Sequence, residues 1–91
     1  MTASSNEESG EERMRRELID FLAQKLEVDP AELGDDRWLV ELGFDSLDQL
    51  EVVLFLESQW GLRLQPEQVD SETLSTIDGI LDLAYRSVPR P

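Results

Sequence analysis

From position 11 onward the apolar residues recur at helical spacing. Met14, Leu18, Phe21, Leu22 and Leu26 stand three and four residues apart, which sets them along one stripe of a helix predicted from about Glu11 to Glu27. A second apolar run starts near Ser46 and stops at Gly61, a residue suited to the left-handed conformation that closes helices, with Leu62 placed to fold back on the last turn. Ile77, Ile80, Leu81 and Ala84 form the inward stripe of a last helix, and Ser75-Thr76-Ile77-Asp78 reads as its capping box.

Shorter signals lie between these runs. Asp29-Pro30-Ala31-Glu32 carries a capping aspartate, a proline at the first helical position and a glutamate at the third, and predicts a short helical turn. The chain from there to Phe44 reads as a long loop, which Leu33, Trp38, Leu39, Val40 and Leu42 are expected to hold against the core. Trp38 and Trp60 are both expected to be packed. Pro66-Glu67-Gln68-Val69 opens a brief further helix. Apart from Leu62-Arg63-Leu64, no alternating pattern suggests a strand. The expected fold is all-α: a small four-helix bundle of three main helices and one short helix, with a long loop between helices one and two.

The polar residues 1–10 lack apolar periodicity and are expected to form a disordered acidic tail, followed by one domain over 11–88 and a C-terminal tail over 89–91. Ninety-one residues suffice for one core but not for a deep active site with a separate substrate domain. Eight basic against twenty-one acidic residues give a net charge of -13, which repels nucleic acid and anionic lipid and favours partners with basic surfaces. No apolar run reaches the roughly 20 residues of a membrane span, and the N-terminus lacks a secretory pattern, so a cytoplasmic protein with no membrane insertion is expected. A monomer is the expected state.

The chain has no cysteine and no histidine, so it offers no disulfide, no thiolate or imidazole metal ligand, no nucleophilic cysteine and no histidine base. Asp29, Asp35, Asp36 and Asp45 do not match the spacing of a calcium loop, and no metal site is predicted. Carboxylates on an open surface of so small a domain lack the burial that shifts acidities for acid–base catalysis. No enzyme is predicted.

One side chain does offer chemistry. Ser46 lies in Glu41-Leu-Gly-Phe-Asp-Ser-Leu-Asp48, where the loop becomes the second helix. A hydroxyl there sits beside unpaired backbone N–H groups and the positive end of the helix dipole, which favour an attached phosphate ester. The competing reading is that Ser46 only caps the helix.

The run Glu41-Leu42-Gly43-Phe44-Asp45-Ser46-Leu47-Asp48 resembles the attachment motif of acyl carrier proteins. The apolar helix after it, Gly61, the Pro66 turn and the Ile77 helix follow the order of that family, and the resemblance spans nearly the whole chain from the first helix onward. It implies a small helical domain that carries 4′-phosphopantetheine covalently on Ser46, installed from coenzyme A by a phosphopantetheinyl transferase. The cofactor would supply the thiol that this chain lacks. Acyl-loading and acyl-processing enzymes with basic docking surfaces are then the expected partners. Asp45 before Ser46 resembles acyl carriers more than the Gly-Gly-His-Ser type of many peptidyl carriers, and Asp48 tilts toward the fatty-acid type. Fatty-acid or polyketide-type cargo is therefore expected, with an aminoacyl or peptidyl carrier as the alternative. An acidic helical adaptor whose Ser46 is never modified remains the reading from a different class.

From residue 38 to residue 62 there is no lysine or arginine and there are five acids: Glu41, Asp45, Asp48, Glu51 and Glu57. Asp48 and Glu51 project to one side of the second helix as surface charges, away from Val52, Val53, Leu56 and Trp60. Asp45, Asp48, Glu51 and Glu57 are expected docking acids, although acids in a first helical turn also offset the dipole. One or both of Leu47 and Leu54 are expected to stay partly exposed beside them for docking. Phe55 falls on the acidic side and reads either as a contact anchor for a partner or as an ordinary core phenylalanine.

Overall fold

Three α-helices, α1 (Gly10–Leu26), α2 (Ser46–Trp60) and α3 (Ile77–Ser87), carry the chain in a computed structural model that describes residues 10–87. The expected tails therefore lie outside the described residues, except Gly10, which sequence placed in the tail and which opens α1. The described residues are helix, turn and irregular chain, with no strand, and 62–64 is irregular.

The core gathers one stripe from each helix. Leu18 and Leu22 of α1 meet Val52 and Leu56 of α2 and Ile77, Ile80, Leu81, Leu83 and Ala84 of α3, all fully or almost fully buried. Each such leucine, isoleucine or valine side chain contributes roughly 1.5–3 kcal/mol on leaving water, so these stripes dominate stability. Gly61 closes α2 at φ 66° and ψ 30°, the left-handed geometry expected of it, and Leu62 is buried just beyond.

The connections use short 3₁₀ turns. Asp29 caps Pro30–Glu32 by accepting the Ala31 N–H at 2.9 Å, completing the predicted box with Glu32. The long loop contains a second turn, Leu39–Leu42, that periodicity did not reveal. The short fourth helix expected at 66–69 is a single 3₁₀ turn, Pro66–Gln68. At α3 the cap is one residue later than expected: Thr76 Oγ1 accepts the Gly79 N–H at 3.0 Å, while Ser75 Oγ donates to the Ser71 carbonyl at 2.7 Å.

Two backbone bonds stitch the long loop to the start of α3. The Leu39 N–H donates to the Ser75 carbonyl at 2.8 Å and the Asp78 N–H to the Asp35 carbonyl at 2.9 Å. Arg15 of α1 pairs with Asp35 and lies 3.7 Å from Asp78, which ties the same corner to the first helix. Asp35 is thus engaged with a cation of the chain itself.

Only part of the loop packs as anticipated. Leu33 and Leu39 are buried and Leu42 is half-buried, but Trp38 and Val40 are 55% and 68% exposed. The 3₁₀ turn explains this, because its tight winding turns Leu39 inward and leaves its neighbours on the outer side.

Candidate functional site

The path to Ser46 is built from the loop upward. Gly43 adopts φ 95°, open to glycine but strained for other residues, and ends the Leu39–Leu42 turn with its N–H on the Val40 carbonyl at 3.1 Å. Phe44 follows, buried, with its N–H on the Leu39 carbonyl at 3.2 Å. Asp45 then takes an extended conformation and caps α2. Its Oδ1 accepts the Asp48 N–H at 3.0 Å, and Asp48 Oδ2 accepts the Asp45 N–H at 3.0 Å.

This reciprocal box removes capping from the duties of Ser46. Ser46 is the first residue inside α2, exposed, and its hydroxyl makes no hydrogen bond among the described residues. The box also amends the electrostatics expected at this helix start. One of the free N–H groups is already bound by the Asp45 carboxylate, whose acidity is raised chiefly by that Asp48 N–H, so its pKa lies below the ordinary aspartate value. The dipole is therefore shared with a resident anion.

Each of the five acids between residues 38 and 62 has a partner within the chain. Glu41 accepts from Arg37 at 3.3 Å, Asp45 and Asp48 bind each other's backbone, and Glu57 Oε2 accepts the Leu64 N–H at 3.2 Å. Lys25 of α1 pairs with Glu51 and stands 4.0 Å from Asp48. Asp48, expected as a surface charge, is consequently a mostly covered side chain, 17% exposed. Lys25 lies far away in sequence, and only the packing of α1 on α2 reveals it.

The exposed apolar side chains next to Ser46 run along α2. Leu47, Leu50 and Leu54 are 62%, 55% and 54% exposed and follow helical spacing away from the serine. Leu47 and Leu54 stand as expected; Leu50 was overlooked, although the same i, i+3, i+7 arithmetic places it between them. Phe55, by contrast, turns toward α1. Its ring stacks on Phe21 with centroids 4.3 Å apart and meets Trp60 edge-on at 5.5 Å, while the Trp60 indole N–H donates to Glu17 at 2.7 Å. The half-buried ring therefore serves helix packing, and Trp60 is packed as anticipated.

Beside Ser46 lies a groove of about 430 Å³. Trp38, Val40 and Phe44 contribute apolar lining, Gln49, Ser71 and Ser75 polar lining, and Asp45 and Ser46 complete it. Trp38 thus belongs to the surroundings of the serine rather than to the core.

A family model described as the phosphopantetheine attachment site matches residues 16–83, which include Ser46 and all of α2. The chain belongs to that family. Its cofactor is 4′-phosphopantetheine, held covalently. The chain is accordingly a phosphopantetheine carrier domain, and carriage implies a phosphopantetheinyl transferase that installs the group and biosynthetic enzymes that use it. No helix among the described residues is long and apolar enough to cross a membrane.

The residues present fit such a group. Within the match, Ser46 joins an exposed, unbonded hydroxyl, a position at the start of a helix, and an adjoining groove with both apolar and hydrogen-bonding walls.

Proposed function

We propose that Ser46 is the attachment point and that the protein is a non-catalytic acyl carrier, presenting acyl groups to fatty-acid or polyketide-type enzymes. The observation that carries this reading is the division of labour at the start of α2. Asp45 supplies the cap, so the hydroxyl one residue later is left exposed and uncommitted. A serine used only as a cap would instead accept a backbone N–H two or three residues on.

In this reading the Ser46 oxygen attacks the pantetheine-bearing phosphorus of the coenzyme A pyrophosphate and forms a phosphodiester, with adenosine 3′,5′-bisphosphate as the leaving group. The old P–O bond to the nucleotide breaks, and the hydroxyl proton passes to the transferase. The installed group supplies a thiol, on which cargo is held as a thioester. Leu47, Leu50 and Leu54 form the apolar contact surface beside the serine, and Asp45, Asp48, Glu51 and Glu57 set the sign of the surrounding field. Acyl cargo is favoured over aminoacyl cargo by Asp45 and Asp48, which here form the capping box itself.

Intact-protein mass spectrometry after incubation with coenzyme A, magnesium and a broad-specificity transferase tests the assignment. Wild type should gain one phosphopantetheinyl mass and Ser46→Ala none. An unmodified wild type beside a modified control carrier would favour the acidic adaptor. Loading assays with malonyl, acyl and aminoacyl donors then separate the cargo classes.

A further inference from the structure

The indole of Trp38 is large, apolar and more than half exposed, at the residue that leads into the Leu39–Leu42 turn, and it lines the same groove as the serine. Such a side chain leaves water when something covers it. We propose that the groove walled by Trp38 and Val40 is a resting shelf for the prosthetic arm itself, laid along the outer face of the domain between the long loop and the approach to α3. The inference rests on Ser46 as the attachment point.

Three observations select the arm as occupant. Ser46 lines the groove, so a group esterified there is tethered at its own binding surface, where effective concentrations on the order of millimolar make a weak contact sufficient. The groove volume of about 430 Å³ falls within the range of small-molecule sites. The lining also matches the arm's chemistry, which places one geminal dimethyl group and a hydroxyl near the phosphate and two amides beyond them. Trp38, Val40 and Phe44 offer apolar contact, while Gln49 and the serine hydroxyls offer hydrogen bonds. Ser75 Oγ already donates its proton to the Ser71 carbonyl, which leaves its lone pairs for an amide N–H. The interhelical side chains Leu18, Leu22, Val52, Leu56 and Ile80 are fully buried against one another, whereas the shelf is open without rearrangement.

The shelf keeps the arm near the surface between encounters and gives a partner enzyme something to displace. A partner side chain could cover Trp38 instead, and the experiment separates the two because no partner is present during measurement.

The full chain, isotopically labelled, is compared by NMR before and after modification with coenzyme A and a transferase, with intact mass as a check on each sample. In the modified chain, nuclear Overhauser contacts should run from the geminal methyls to the Trp38 indole and the Val40 methyls. The Trp38 indole N–H signal should shift while that of Trp60 stays in place. In Trp38→Ala, and independently in Val40→Ser, the arm's methyl signals should move to their positions in free pantetheine. Full modification by mass with no contact to Trp38, or arm signals indifferent to both substitutions, overturns the shelf and leaves the carrier assignment standing. Absence of any mass gain overturns both.

Discussion

The Lys25 ammonium of α1 pairs with the Glu51 carboxylate of α2 and lies 4.0 Å from Asp48, so a cation of the chain itself already holds two of the acids expected to greet basic partners. An incoming lysine or arginine must compete with it. Lys25→Met should therefore speed association with a basic-faced transferase, most visibly at low salt, while lowering stability by no more than about 1 kcal/mol, as partly exposed ion pairs contribute little. Stopped-flow binding across a salt series checks this. An unchanged rate would mean that Glu51 takes no part in docking.

Phe55 stacks on Phe21 and abuts Trp60, which makes it a helix-to-helix contact. Phe55→Ala should destabilise the domain by about 2–4 kcal/mol in denaturant unfolding, toward the lower part of the range for buried aromatics because the ring is only half-buried. A double-mutant cycle with Phe21→Ala should show coupling of about 0.5–1.5 kcal/mol. Additive losses would show that the stacked pair contributes nothing beyond burial.

Gly79 lies in the first turn of α3 with no unusual backbone angle, yet a Cβ built there would sit 2.3 Å from the Thr73 carbonyl oxygen. Alanine ordinarily strengthens a helix. Here Gly79→Ala should lower stability by about 1–3 kcal/mol, because the approach to α3 must move to make room. A raised melting temperature would contradict the close packing of that turn.

The Asp45 carboxyl is held below the ordinary aspartate range, first by the Asp48 N–H. A group whose folded pKa is depressed adds stability above its unfolded value and loses that contribution as pH falls through the folded one. Asp45→Asn keeps a good capping residue but has no charge to titrate. It should be somewhat less stable than wild type near neutral pH, and the difference should shrink on acidification as wild type loses the Asp45 contribution, followed by far-ultraviolet circular dichroism under denaturant. Parallel acid profiles would show that the box is not what lowers this acidity.

The three helices were legible because each is long enough for its apolar stripe to repeat, and because Gly61 marks the end of α2 by its left-handed backbone. The Leu39–Leu42 turn was not legible. It is too short to show a period, and its position is fixed by the distant Ser75 carbonyl. Missing that turn led to placing Trp38 and Val40 in the core. At the candidate site, Ser46 and the Asp45–Asp48 box are local in sequence and could be read there, whereas Lys25 against Glu51 and Phe21 against Phe55 exist only once α1 lies on α2. The choice of Thr76 over Ser75 as cap turned on one residue of register, which two adjacent hydroxyls leave undecided.

Phe44 is buried two residues before Ser46, and its N–H is bonded back to Leu39, so the serine is mounted on a footing anchored in the hydrophobic interior. With Ser46 as the proposed attachment point, the protein would act as a fixed post, and the travel needed to visit successive enzymes would come from rotation about single bonds of the attached group. Altering the footing would misdirect that reach at its origin, however intact the tether remained.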